Sequence, residues 1–299
     1  MKRILGIVGS LRKAGNCELF VKEVSRHIQT PHELQLLRLP EFRLDYCNGC
    51  YRCLTAERGC VLKDDLSMVL DAIEGADALI LAVPTYFLSA HSCLKAFVDR
   101  GISFYSRAET LWGKPAVGVG IAGIEGKEGS TLLDIERFFT TLMVKNQAST
   151  IVYGALPGEA LMNQANRSVA SNLASTLFST PLPKKEGLFC SCCGGETFRF
   201  SAGGQVRCML CSELGKLVVD GLSPRIEMNE GDHQLLANEA EALKHREWLP
   251  GMVGRFKEQK EALAEVRSDY EDEVSWLLPS KGLSKREGAL SPSGGGNHL

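Results

Sequence analysis

The fourteen residues "CNGCYRCLTAERGC" carry Cys47, Cys50, Cys53 and Cys60, and a second group, Cys190, Cys193, Cys208 and Cys211, follows in "CSCCGG" and "CMLC". Folding alone does not call for thiols at this density, whereas metal binding does. The first group, C-x2-C-x2-C-x6-C, is too compact for a tetrahedral zinc site, which draws two ligands from each of two separated knuckles. Three cysteines at successive three-residue spacing wrap one face of an iron–sulfur cubane, as in the bacterial ferredoxin run, and a fourth nearby closes it. Zinc, or thiols left without a metal, is the alternative. The second group reads C-x2-C-x14-C-x2-C, a strong zinc spacing, with Gly194 and Gly195 allowing a tight knuckle. Rubredoxin-like iron is the competing reading, disfavoured by the short interval between the pairs. Cys192 reads as a bystander, and Cys93 as a small core residue.

Metal ligation presupposes reduced thiols. The apolar run in "MKRILGIVGS" is too short for a secretory signal and is closed by Gly9 and Ser10. No later stretch reaches the roughly 18 apolar residues of a membrane span. The expectation is a cytoplasmic protein whose 11 cysteines are not disulfides. A net charge of −2 gives no general attraction to nucleic acid or anionic membranes. Residues 184 to 227 hold six basic residues against five acids, so the cysteine-rich segment has no nucleic-acid footprint either.

These thiols sit within an alternation of strands and helices typical of a parallel α/β sheet. Strands are expected at "RILGIVGS", "ELQLLRLP", "DALILAVP", "KPAVGVGIAG" and "STIVYGA". Helices are expected at "CELFVKEVSRHI", "DDLSMVLDAIEGA", "AHSCLKAFVDRGISFY", "STLLDIERFFTTLMVKN" and "ANRSVASNLASTLFS". Five strands so connected predict a flavodoxin-like doubly wound sheet with ligands at the carboxyl ends of the strands. The predicted division is residues 1–183 for this domain with its four-cysteine insert, 184–228 for a zinc ribbon of three strands, 229–279 for a helical extension and 280–299 for a disordered tail. In the extension, Leu249, Val253, Phe256, Leu263, Val266, Tyr270, Val274 and Leu277 recur near a 3.6 period, predicting a packing or oligomerisation helix, and His245 reads as a surface residue.

The turn after the first strand, "GSLRKAGNCE", aims backbone amides and a helix N-terminus at one spot, a ready site for a phosphate monoester. Ser10 and Asn16 offer side-chain donors and Arg12 a charge-assisted one. The Walker A ending is absent, and "GVGIAG" at 118–123 lacks the acidic residue that a dinucleotide site places about 20 residues further on. "PTYF" and the glycine-rich stretch after the fourth strand supply the apolar wall and backbone donors that a planar redox ring needs.

These three loops, "GSLRKAGN", "PTYFLSAHSCLKAFVDR" and "GIAGIEGKEGS", resemble the flavin-contacting loops of the NADPH-dependent FMN reductase group of flavodoxin-like proteins. With the compact four-cysteine site, residues 1 to about 180 resemble the iron–sulfur flavoproteins. The resemblance implies FMN phosphate held by Ser10, Arg12, Gly15, Asn16 and Cys17, with Cys17 standing where the family usually has Thr or Ser. It implies Pro84, Thr85, Tyr86, Phe87 and Ser89 beside the ring and ribityl chain, with Ala122 and Gly123 at the ring edge. It further implies a [4Fe–4S] cluster at Cys47, Cys50, Cys53 and Cys60, to which the second cysteine group adds zinc. The function expected from it is FMN-dependent electron transfer in a homo-oligomer fed by a donor such as ferredoxin or NAD(P)H. The alternatives are an NAD(P)H-dependent FMN or quinone reductase with structural cysteines, and a redox-sensing, partner-binding flavoprotein.

Overall fold

The computed structural model describes residues 1–54, 59–179, 187–221, 223–229, 231, 238–270 and 277. In chain order the N-terminal part runs β1 (Lys2–Val8), α1 (Asn16–His27), β2 (His32–Arg38), α2 (Leu66–Gly75), β3 (Ala78–Tyr86), β4 (Ser89–Ala90), α3 (Cys93–Val98), α4 (Ala108–Leu111), β5 (Pro115–Ala122), α5 (Thr131–Thr141), β6 (Lys145–Tyr153) and α6 (Gln164–Leu177). Five parallel strands pair in the order β2-β1-β3-β5-β6, and short β4 adds antiparallel to the end of β3. This is the expected flavodoxin-like order, with its switch point between β1 and β3.

Alternation along the strands builds two cores. Ile4 and Val8, with Ala78, Ile80 and Ala82, pack under α1 and α6. Leu5 and Ile7, with Leu79, Leu81 and Val83, pack under α2, α3 and α5. Both faces are apolar, as a parallel sheet with crossover helices demands. On β5 the α5 side is glycine: a Cβ at Gly118 would stand 2.4 Å from Ile135 Cγ2, and one at Gly120 would stand 2.7 Å from Thr131 Cγ2. Those two absent side chains bring α5 down onto the sheet.

Several boundaries differ from expectation. The helix predicted over residues 90–105 ends at Val98 and gives way to a 3-10 stretch, Gly101–Arg107. The helix predicted through Asn146 stops at Thr141. Met143 turns with φ +59°, and Lys145 N–H donates to Lys114 O to open β6, because pairing with β5 requires extended chain.

The second cysteine group lies in an antiparallel sheet of four strands: β7 (Phe198–Phe200), β8 (Gln205–Cys208), β9 (Leu214–Asp220) and β10 (Ser223–Met228). The fourth strand, around Pro224, was not foreseen; it pairs along the outer edge of β9. Three helices follow, α7 (Glu239–Trp248), α8 (Gly251–Glu258) and α9 (Lys260–Ser268).

The periodic apolar face expected there is only partly used. Ala242 and Leu249 are buried, and they join the core beneath α2, α3 and α5. Leu263, Val266, Tyr270 and Leu277 are exposed. His245 is half-buried instead of a surface residue, its ring 5.9 Å from that of Tyr105 and stacked 5.6 Å from Trp248. Residues 180–186, at the expected boundary before the ribbon, Val274 and the expected tail at 280–299 lie outside the described residues.

Gly118→Ala should therefore push α5 off the sheet and destabilise the fold by about 1–3 kcal/mol, read as a lower urea midpoint at unchanged m-value.

Candidate functional site

The loops that leave the carboxyl ends of β1, β3, β5 and β6 meet at one edge of the sheet, and named polar contacts stitch them together. Helix α1 begins at Asn16 behind Gly15, which has no side chain to cap it, so its first-turn amides are left for an anion. Ser10 is buried, and its hydroxyl accepts from Arg12 N–H at 3.2 Å. Arg38, at the end of β2, donates to Ser10 O (2.7 Å) and Arg12 O (3.1 Å) and pairs with Glu18 at 2.8 Å. Glu18 also accepts from Ala14 N–H, where the chain turns left-handed at φ +51°, and from Lys22. Bonds from Lys22 and Arg38 hold the Glu18 carboxyl at about 2.

Two residues assigned to phosphate binding do other work. The Asn16 amide donates to Gly154 O (2.9 Å) and accepts from Gly158 N–H (2.8 Å) and Ala160 N–H (3.4 Å), tying the first loop to the last. Its side chain is thus committed, leaving only its backbone for a phosphate. The Cys17 side chain is in the core under α1; burial, then its neighbour Cys93, pushes its thiol up to about 12. Only its amide faces the expected role, which accounts for a thiol where a hydroxyl is usual. Arg12 is exposed and reaches Ala155 O at 3.5 Å.

The hairpin from Pro84 to Ala90 is clamped by the N-terminus of α5. Thr85 and Thr131 share a hydroxyl hydrogen bond at 2.7 Å, Ser130 N–H donates to Leu88 O at 2.7 Å, and Asp134 accepts from Ser89 Oγ (2.6 Å) and Ala90 N–H (2.9 Å). Gly129 is obligatory, because a Cβ there would lie 2.1 Å from Leu88 O. The Thr85 and Ser89 hydroxyls are thereby occupied. The hairpin turns at Phe87 and Leu88 with φ +48° and +64°, leaving the Phe87 side chain wholly exposed and Tyr86 half-exposed. Across the opening, Ala122 is buried at the end of β5 and Gly123 is exposed. Leu11, Ile124 and Leu156 add exposed apolar side chains around the same edge. The result is a cleft with an anion-ready turn at one end and an apolar hairpin at the other.

The two cysteine groups differ in geometry. Cys190, Cys193, Cys208 and Cys211 bring their sulfurs within 4.8 Å of one another, with Cys190–Cys211 at 3.7 Å and Cys193–Cys208 at 3.5 Å. Four thiolates about 2.3 Å from one tetrahedral ion stand about 3.8 Å apart, so this donor set fits a single ion. Left-handed Gly194 and Ser212 turn the two knuckles, and Gly195 N–H donates to Cys193 Sγ at 3.4 Å. Cys192 stays outside the group.

Cys47, Cys50, Cys53 and Cys60 lie on an irregular loop between β2 and α2, with Cys47 exposed and the others half-buried. They are looser than the ribbon set yet near enough to interact: burial and the neighbouring Cys60, Cys50 and Cys47 raise the Cys53 thiol to about 11. Four thiols are the donor chemistry of an iron–sulfur group. Among the described residues no helix is long and apolar enough to cross a membrane.

Glu18, Arg38, Thr131 and Asp134 were not singled out in the sequence. A carboxylate four residues before Lys22 is a readable helix pair, but nothing local announces its bond to Arg38, 20 residues away.

The family model for NADPH-dependent FMN reductase matches residues 2–150. An iron–sulfur flavoprotein of Methanocaldococcus jannaschii is 30% identical over 184 residues, covering 57% of this chain and 93% of that protein. One of Archaeoglobus fulgidus is 28% identical over 176 residues, covering 58% of this chain and 78% of that one. A solved structure titled flavone reductase shares the fold over 93% of this chain and all of its own, with TM-score 0.69 at 15% identity.

The depressed Glu18 carboxyl contributes stability that is fully present above its unfolded value of 4.5 and is lost as pH falls through about 2. Glu18→Gln should flatten the acid limb of stability against pH over that window while leaving the neutral-to-alkaline limb unchanged. Burial likewise pushes the Cys93 thiol up to about 12. Cys17 and Cys93 should therefore resist iodoacetamide at pH 8 in native protein and alkylate once it is unfolded, as peptide mapping will show.

Proposed function

Since the chain belongs to the iron–sulfur flavoprotein family and is a flavin-dependent oxidoreductase, we propose that it passes electrons between FMN in the cleft and a [4Fe–4S] cluster on Cys47, Cys50, Cys53 and Cys60, with zinc in the ribbon. FMN exchanges electrons singly or in pairs and a cluster exchanges them singly, so the two together join one-electron carriers to two-electron donors. The observation that carries this reading is positional. The four-thiol loop follows the end of β2, next to β1, so it leaves the same sheet edge as the flavin loops.

The chain's own groups do the positioning. The first-turn amides of α1 at Asn16 and Cys17 and the Arg12 guanidinium take the phosphate, with Arg38 and Glu18 fixing the turn beneath them. Pro84, Thr85, Tyr86 and Phe87 form one wall, held at a set distance by Asp134 and Thr131, and Ala122 and Gly123 offer backbone at the other. Cys190, Cys193, Cys208 and Cys211 hold zinc as a closed structural site, with every ligand from protein. The exposed Phe87, Leu88, Ile124 and Leu156 around the cleft support a homo-oligomer that covers this edge. The donor is a soluble reductant such as NAD(P)H or ferredoxin.

Metal analysis of anaerobically purified protein should return about four irons and about one zinc per chain, with broad visible absorbance beyond that of the flavin. Cys53→Ser should lose iron and keep zinc, and Cys208→Ser should do the reverse. Protein that stays iron-free after anaerobic reconstitution while still reducing FMN with NADPH would replace this reading by that of an FMN reductase with structural cysteines.

A further inference from the structure

The loop that carries Cys47, Cys50, Cys53 and Cys60 is closed at its base by charge. Arg43 N–H donates to Asp65 Oδ2 at 2.7 Å, and Asp65 N–H returns a bond to Arg43 O at 2.9 Å. One step inward, Asp64 Oδ2 accepts from Asp45 N–H at 2.8 Å. Innermost is Arg100, just beyond α3. Its Nη1 donates to Asp45 O at 2.7 Å and to Asp64 Oδ2 at 2.5 Å, and its Nη2 donates to Asp64 Oδ1 at 3.3 Å. One guanidinium therefore grips the chain two residues before the first cysteine and four residues after the last.

This pair is wholly buried: the Arg100 and Asp64 side chains are 0% and 1% exposed. A buried ion pair is a weak source of net stability, so its presence under a metal loop asks for another reason. Two observations point to one. Cys60, Asp64 and Arg100 line one small cavity of about 30 Å³, which sets the guanidinium next to the last cysteine of the loop. The Arg100 Nε–H, also buried, finds no acceptor among the described residues. A buried donor left unmet is costly, and sulfur at Cys60 is the acceptor chemistry at hand. The burial of both side chains keeps bulk water away from that charge.

We propose that Arg100 is a positioning and tuning residue of the four-cysteine site, closing its loop and setting a fixed positive charge beside Cys60 that raises the reduction potential of the iron–sulfur group bound there. The inference rests on that group occupying the four cysteines. Reduction adds one negative charge to the group, and a cation held nearby in a dry setting favours the reduced form; hydrogen bonds to the sulfurs act in the same direction. Asp64 orients the guanidinium and partly offsets its field, so the expected shift is moderate.

The test uses full-length, anaerobically reconstituted holoprotein as wild type, Arg100→Lys, and the double variant Arg100→Met with Asp64→Asn, which removes both charges and leaves no buried carboxylate unpaired. Iron per chain is measured first, and the cluster potential then by a titration followed with electron paramagnetic resonance. Expected is iron retained in all three, with Arg100→Lys close to wild type. The double variant should lie about three- to tenfold toward the oxidised form, tenfold being about 59 mV for a one-electron couple. An unchanged potential in the iron-loaded double variant overturns the proposal, as does equal loss of iron from both variants, which would make the arginine a structural brace alone. Wild type that takes up no iron fails the cluster reading itself, and is told apart at the first measurement.

Discussion

A parallel sheet that is apolar on both faces must be covered on both faces, and this constraint decides where every loop of the protein emerges. Ile4 and Val8 look one way from β1 and Leu5 and Ile7 the other, and β3 repeats the alternation. Helices then cross on both faces, α1 and α6 on one and α2, α3 and α5 on the other, and each crossover carries the chain back to begin the next strand at the same edge. The ends of β1, β2, β3, β5 and β6 therefore share the opposite edge, and the residues able to bind a flavin and an iron–sulfur group are gathered there by topology.

Topology gathers the loops without fixing them, and the polar contacts supply the rest. Asn16 bonds to backbone 138 to 144 residues away, Arg38 bridges the end of β2 to the first turn, and Asp134 holds the 84–90 hairpin from α5. Each satisfies backbone groups that would otherwise be left bare at a sheet edge. Loops held in this way lose little freedom when a cofactor arrives, which favours binding by preorganisation. The ribbon solves the same problem differently: antiparallel pairing and two left-handed knuckle residues draw four sulfurs to single-ion spacing.

The five strands, both cysteine groups and the order of the flavin loops were legible because each is a local pattern: apolar runs, ligand spacing and turn chemistry. Side-chain targets were not. Asn16 and Cys17 sit in the turn after β1 in either description, but only packing against the residue 154–160 loop and the α1 core determines that one amide staples and one thiol is buried. The early end of α3 and the early start of β6 belong to the same class. A helical pattern through Lys145 and Asn146 gave way to strand pairing with Pro115 and Ala116, a partner 30 residues upstream. The Arg100–Asp64 pair spans 36 residues and carries no local signature at all.

The burial of Ala242 and Leu249 beneath α2, α3 and α5 changes what the ribbon is. Read along the chain it follows the flavin domain; in space, the segment after it returns to complete that domain's own core. The chain on both sides of the ribbon thus shares one core, and the ribbon itself is held where Arg137 donates to Met209 O at 2.9 Å, between two of its cysteines. A chain cut at residue 228 would uncover a patch of the flavin domain's interior, so the core extends to Leu249, on the far side of the four-cysteine ribbon.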